Sequence, residues 1–227
     1  MHMTVENARN EGRGLLEHEC LDLLKEYGIP VCRHKFVRNI DEALAAAGEI
    51  GYPSVLKIVS RDIMHKSDVG GVRTGITSDE DLHKQYDDIV SNVRKNAPDA
   101  KIEGMLLVEQ LPEGVECIVG MTRDTQLGAA LMFGLGGVLV ELFEDVSLCL
   151  LPTDRAEIED TIRCVKGYKL LTGYRGKPPC DIEAVVDLML KVGRMTEENP
   201  EITEIDINPV FVYPCGAIPA DVRILVN

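Results

Sequence analysis

Residues 54–76, SVLKIVSRDIMHKSDVGGVRTGI, constrain this chain more than any other stretch. They read as a short apolar strand carrying one lysine (Lys57), an irregular loop with a histidine (His65), a double glycine (Gly70, Gly71), and a second extended segment from Val72 to Ile76. An ammonium on a strand neutralises phosphate charge, and glycine lets backbone N–H groups approach oxygens with no Cβ in the way. The histidine between them is a nucleophile where phosphoryl groups would lie. Two readings of Lys57 stay open at this level, an edge-strand lysine reaching for water and a fixed cation on a polyphosphate. A loop histidine can equally be a solvated surface residue.

The flanking sequence alternates helix and strand. Residues 15–27 place Leu16, Cys20, Leu23, Leu24 and Tyr27 on one helical face, and Gly28 ends that helix. Asn39 with Glu42 forms a capping signal for an alanine-rich helix, which Gly51-Tyr52-Pro53 breaks. Ser78 with Asp81 opens another helix running to about Asn96. A second set of elements is expected from Gly104: strands GMLLVEQ and VECIVGMT, then QLGAALMFG, helices at 154–166 behind a Thr153 cap and at 182–197, and a β-rich end. The expected organisation is an arm at 1–14, a small α/β lobe at 15–103 and a larger lobe at 104–227 on a mainly antiparallel sheet.

Near the end, EIDINPVFVYPCGAIPADV puts Asp206 and Asn208 on alternate positions, hence one strand face, with Asp221 where a hairpin could bring it alongside. Carboxylate and amide oxygens are the hard ligands that Mg²⁺ prefers; an ordinary acidic hairpin reads the same way. Glu109 ends one strand and Glu116 follows across LPEGV, so backbone there could meet a base edge and a carboxylate could accept ribose hydroxyls, or both acids are simply solvated. Gly136 and Gly137, before Glu141, either exclude side chains from a close approach or make a turn.

Twenty-four Lys and Arg stand against 38 Asp and Glu, a formal charge of −14, which disfavours nucleic acid and anionic membranes as partners. Seven cysteines without a C-x-x-C pair fit reduced thiols in a cytoplasmic protein better than a disulfide framework or a zinc site. The N-terminus lacks an apolar signal region, and the uncharged stretch Leu127–Val140 is 14 residues, too short to span a bilayer.

The motifs YGIPV, GYPSVLKIVS, HKSDVGGV, GLGGVLVEL, the LLTGYRG-PP segment and EIDINP together make the chain resemble the ATP-grasp (β) subunit of NDP-forming acyl-CoA synthetases, the ADP-forming acetate–CoA ligase type. The resemblance runs from about Leu15 to Val226. It departs at Arg61, where the family pattern usually has proline. It implies an α/β ATP-grasp fold with nucleotide (ATP/ADP) held between two α+β lobes. Lys57 would match the phosphate-binding lysine and Gly70-Gly71 the glycine loop. Glu109 and Leu111 would offer backbone to adenine, and Glu116 would hold the ribose. Asn208 and Asp221 would match the Mg²⁺ ligands with Asp206 in support, while Gly136, Gly137 and Glu141 could support the phosphoryl site. His65 would match a histidine phosphorylated during turnover. The resemblance further implies a larger α subunit with CoA-binding and ligase domains in an α₂β₂ assembly. Two neighbouring classes share the fold: succinyl-CoA ligase β subunits, which lack a matching HKSD histidine, and sensory ATP-grasp domains, which would lose His65 or the metal ligands.

Overall fold

Strand pairing divides the chain differently from its linear order. A computed structural model describes residues 2–63, 65–137 and 145–227. One compact unit comprises residues 16–18 and 32–112; the other comprises 1–15, 19–31 and 113–227. In chain order the elements are α1 (Met3–Asn10), α2 (Glu17–Glu26), β1 (His34–Val37), α3 (Ile40–Ile50), β2 (Ser54–Val59), β3 (Val72–Ile76), α4 (Asp79–Asn96) and β4 (Gly104–Glu109). There follow β5 (Val115–Asp124), β6 (Gly128–Leu135), β7 (Val146–Leu150), α5 (Arg155–Cys164), a 3₁₀ turn (Lys166–Leu170), α6 (Ile182–Glu198), β8 (Ile202–Val212), β9 (Ala217–Pro219) and β10 (Val222–Val226).

The first unit is an antiparallel sheet in the order β1-β4-β2-β3. The expected boundary before Gly104 is therefore displaced: β4 lies between β1 and β2 and completes the first sheet, and the division falls after Pro112. The helices α3 and α4 cover one face. Asn39 accepts the Glu42 N–H, and Ala43, Ala46, Ala47 and Ile50 then recur at helical spacing on the buried side. Ser78 accepts the Asp81 N–H, acids occupy the first turn of α4 and Arg94 and Lys95 the last, so the ends of α4 complement its dipole. These faces bury Leu56, Ile58, Met105 and Leu107 in one core with Leu82, Ile89 and Val93.

The second unit is a sheet in the order β10-β8-β5-β6-β7, with β9 added beside β8. Residues 1–14 are not a separate arm: α1 buries Val5 and Ala8, and the Leu15 N–H donates to Ile224 O of β10. Both α5 and α6 pack against this sheet, on the face carrying Leu131, Phe133, Ile205 and Ile207. The cap of α5 is Asp154 rather than Thr153, whose hydroxyl instead donates to Glu157. On the other face one row of directly opposed residues runs Leu148–Met132–Gly120–Asp206–Arg223. That face is apolar at the β7 edge, where Leu148 is 59% exposed, and charged at β8 and β10. No helix among the described residues is long and apolar enough to cross a membrane.

Asp181 performs two structural tasks, capping α6 through the Ala184 N–H at 3.0 Å and accepting the Gly216 N–H at 2.8 Å. Among the described residues the Asp154 side chain makes the capping bond to Glu157 N alone, in an exposed position. Asp181→Ala is therefore expected to cost about 1–2 kcal/mol and Asp154→Ala about 0.5–1 kcal/mol. Urea unfolding of both variants checks the order; a larger loss for Asp154→Ala would contradict it.

Candidate functional site

In the first unit the site is built on the sheet face away from α3 and α4. Phe36, Leu106, Lys57 and Val72 stand directly opposite one another on the four strands, hence on one face. The first turn of α2 lies over this row: His18 stacks on Phe36 with ring centroids 4.3 Å apart, and Glu17 meets Lys57. Lys57 is thus no edge lysine reaching for water, because β2 is central and every one of its residues is buried. Its Nζ lies 2.6 Å from Glu17 Oε1, and Lys66 Nζ lies 2.7 Å from Glu17 Oε2. The Glu17 side chain is 3% exposed, so two ammonium groups share one carboxylate out of water. A buried cation stripped of such a partner costs several kcal/mol, about 3–5 by analogy with other broken pairs. Burial also pushes the Cys32 thiol up to about 11, with the nearby Lys57 charge opposing.

His65 is exposed on the loop leading out of β2, one residue before Lys66. The stem is fixed by Arg61 on Glu103 (2.6 Å) and by the Lys101 N–H on Asp62 (2.8 Å), so the departure at Arg61 adds an ion pair. The double glycine closes the loop. Gly70 donates to Ser67 O at 3.0 Å and Gly71 to Lys66 O at 2.7 Å, so both N–H groups are spent inside the loop and not presented to a ligand. Gly71 is needed for space: a Cβ there would lie 2.5 Å from Ile58 Cγ2 and 2.9 Å from Lys66 O. Glu109 is likewise engaged, by the Arg33 N–H (2.8 Å) and Nε (2.7 Å), while its own N–H donates to Arg33 O. Leu111 is half-buried in the connection after β4.

In the second unit, Glu116 projects from β5 as an exposed carboxylate. Gly136 and Gly137 sit against it. The Gly136 N–H donates to Glu116 O at 2.7 Å, and a Cβ on Gly137 would lie 3.1 Å from Glu116 Oε2. The glycine pair therefore makes room for Glu116. Glu141 lies outside the described residues.

Asp206 and Asn208 share the face of β8 opposite the helices, and the Asn208 N–H donates to Asp221 O at 3.1 Å across the β8–β10 pairing. Arg223, opposite Asp206, pairs with Glu204 and lies 3.9 Å from Asp206 Oδ2. Burial holds the Asp206 carboxyl above its ordinary range, with Glu204 and Asp221 adding to the effect and Arg223 opposing it. Among the described residues no three His, Cys, Asp or Glu side chains are grouped to hold a metal ion. Asp206, Asn208 and Asp221 amount to two carboxylates and an amide. Such a set fits Mg²⁺ with the rest of its octahedron filled from elsewhere, as by phosphate oxygens and water.

Sequence reasoning overlooked Glu17, Lys66, Arg33 and Arg223. Only Glu17 left a signal, an acid in line with Leu21 and Leu24 at helical spacing on an otherwise apolar stripe.

A raised carboxyl favours the fold when protonated. Its stabilisation is present below the ordinary value of 3.8 and is lost as pH rises through the raised value. Asp206→Asn, neutral at every pH, should therefore raise the thermal midpoint of the metal-free chain at about pH 7.5, with the advantage fading as pH falls towards the ordinary carboxylate range. A lower midpoint for the variant at neutral pH would mean that Arg223 outweighs burial.

Residues 7–226 match the family model of the ATP-grasp domain. The chain is 48% identical to the β subunit of ADP-forming acetate–CoA ligase I of Pyrococcus furiosus, across 97% of this chain and 95% of that one. It is 44% identical to ADP-forming acetate–CoA ligase I of Archaeoglobus fulgidus, spanning 98% of this chain but 32% of that longer polypeptide. The dinucleotide-forming acetyl-coenzyme A synthetase 1 of Ca. Korarchaeum cryptofilum, solved with coenzyme A and Ca-AMPCP, superposes with a TM-score of 0.95 at 48% identity, covering 98% of this chain and 97% of that one. Another structure of that protein holds coenzyme A and Mg-AMPPCP, its phosphohistidine segment pointing towards the nucleotide-binding site; it superposes with a TM-score of 0.87 at 44% identity, covering 99% of this chain and 98% of that one. With an ATP-grasp model matched over nearly its whole length and relatives this similar, the chain belongs to the ATP-grasp family, among the β subunits of ADP-forming acetate–CoA ligases.

Proposed function

We propose that this chain binds ADP and ATP with Mg²⁺ and, with a larger α subunit, interconverts acyl-CoA, ADP and phosphate with the free acid, CoA and ATP. The observation that carries this reading is the arrangement around His65: an exposed imidazole on a loop whose neighbour Lys66 and underlying Lys57 share one buried carboxylate. That is a nucleophile beside fixed positive charge, the requirement for handling a phosphoryl group.

In this scheme the α subunit makes an acyl phosphate, whose phosphoryl group reaches a histidine of that subunit with release of the carboxylate. A neutral imidazole nitrogen of His65 then attacks phosphorus; a P–N bond forms here as the bond to the donor histidine breaks. An oxygen of the ADP β-phosphate next attacks the same phosphorus, the P–N bond breaks, and ATP leaves. Lys57 steadies the phosphate charge during these steps. Glu109 and Leu111 lie on the segment assigned to adenine, and Glu116, given room by Gly136 and Gly137, is assigned to the ribose hydroxyls. Asn208 and Asp221, with Asp206, would hold Mg²⁺, which when bound neutralises phosphate oxygens and fixes their geometry. The glycines at 70 and 71 serve by shaping the loop.

The partner reading is supported by the β-subunit relatives and by the longer A. fulgidus polypeptide, of which this chain matches about a third. An α₂β₂ enzyme in which α carries the CoA-binding and ligase domains, and so the acyl pocket, fits that division. Seven cysteines, none of them in a disulfide, suit a reducing cytoplasm.

Lys57→Ala leaves Glu17 paired with Lys66, so the fold should survive while ADP affinity falls by about 10- to 100-fold, the loss of one or two charge-assisted contacts. Calorimetry showing unchanged affinity would remove Lys57 from the site. His65→Ala should still bind ADP but lose ATP formation from acyl-CoA and phosphate, and acid-labile phosphate should label the wild-type chain and not the variant. Full ATP formation by His65→Ala would mean direct transfer from the partner's histidine to ADP.

A further inference from the structure

We propose that Glu17 is a positioning residue for phosphoryl transfer: one carboxylate oxygen fixes the Lys57 ammonium, and the other, through Lys66, tethers the loop that presents His65. The phosphoryl-transfer part rests on the function proposed above.

The geometry divides the work between the two oxygens. Lys57 belongs to the rigid centre of the sheet, so its pairing at 2.6 Å anchors Glu17. Lys66 belongs to the loop, and its pairing at 2.7 Å ties the loop to that anchor one residue from His65. Backbone bonds close the turn, the Asp68 N–H donating to His65 O at 3.2 Å and the Gly70 N–H to Ser67 O at 3.0 Å. Arg61 and Asp62 hold the outgoing stem, and Gly71 holds the return, through its N–H on Lys66 O and its own carbonyl accepting the Ile58 N–H at 2.7 Å. Between those two anchor points the Lys66–Glu17 pair is a side-chain contact made by the residue next to His65. Burial of its Glu17 end, 3% exposed against 19% for Lys66, screens the attraction less than at an open surface, and the contact is an ion pair rather than an aligned hydrogen bond.

The test compares wild type, Lys66→Met, Lys66→Arg and Glu17→Gln as full chains, with the α subunit for kinetics. Lys66→Met leaves a neutral Lys57–Glu17 pair and so avoids stranding a charge; Glu17→Gln strands two. For Lys66→Met, backbone hydrogen exchange across residues 65–71 should quicken by about 10-fold or more. The kcat for ATP formation should fall by about 10-fold, with KM for ADP changed by less than about 3-fold. Lys66→Arg keeps a cation on Glu17 and should stay within about 3-fold of wild type in both readings. Glu17→Gln should add a weakened ADP affinity, because Lys57 loses its anchor. Unchanged exchange in Lys66→Met would overturn the tether. A loss confined to KM and ADP affinity would overturn it too, making Lys66 a direct nucleotide contact. The exchange arm needs no substrate or partner, so it decides the tether even where wild type fails to label His65, a result that would count against the phosphohistidine reading alone.

Discussion

One buried carboxylate reconciles the sheet of the first unit with the charge it carries. A lysine in the middle of a central strand, with every strand position buried, is costly unless its charge is paired. Glu17 supplies that partner by lying over Lys57 at 2.6 Å. That requirement explains why residues 16–18 belong to the first unit although the rest of α2 belongs to the second. It also explains the accompanying His18–Phe36 stack, since the turn that delivers Glu17 must rest on the same sheet face. Lys66 then exploits a carboxylate that the fold already needs, and the His65 loop is held where it begins.

The second unit solves a different problem, that of keeping several acids together on one sheet face. Glu204, Asp206 and Asp221 cluster around β8 and β10, and Arg223 offsets only part of their repulsion. Burial of Asp206 beside these acids holds its carboxyl above the ordinary carboxylate range. Across the same face the charge gives way to Gly120, Met132 and Leu148, and the glycine pair at 136–137 clears space for Glu116.

Local chemistry was legible in the sequence wherever neighbours in the chain decide it. The Asn39 and Ser78 caps, the apolar strand around Lys57 and the shared face of Asp206 and Asn208 follow from side chains within a few residues of one another. Non-local pairing was not legible. Nothing near Gly104 says that β4 inserts between β1 and β2, and nothing near Glu109 says that Arg33 takes its carboxylate. The double glycine suggested donors aimed at phosphate, yet Gly71 is dictated by Ile58 and Lys66 O, contacts that exist only after the loop has closed. Glu17 was hidden for the same reason, its partners being 40 and 49 residues away along the chain.

The central claim is that this chain alone offers a nucleotide polyphosphate fixed cations and a place for a divalent ion. Calorimetric titration of the intact wild-type chain with ADP, in the presence and absence of Mg²⁺, tests it most directly. Saturable binding of one ADP per chain, tightened by about 10-fold or more when Mg²⁺ is present, is the predicted result. A folded chain giving no heat with ADP beyond dilution under either condition would contradict it.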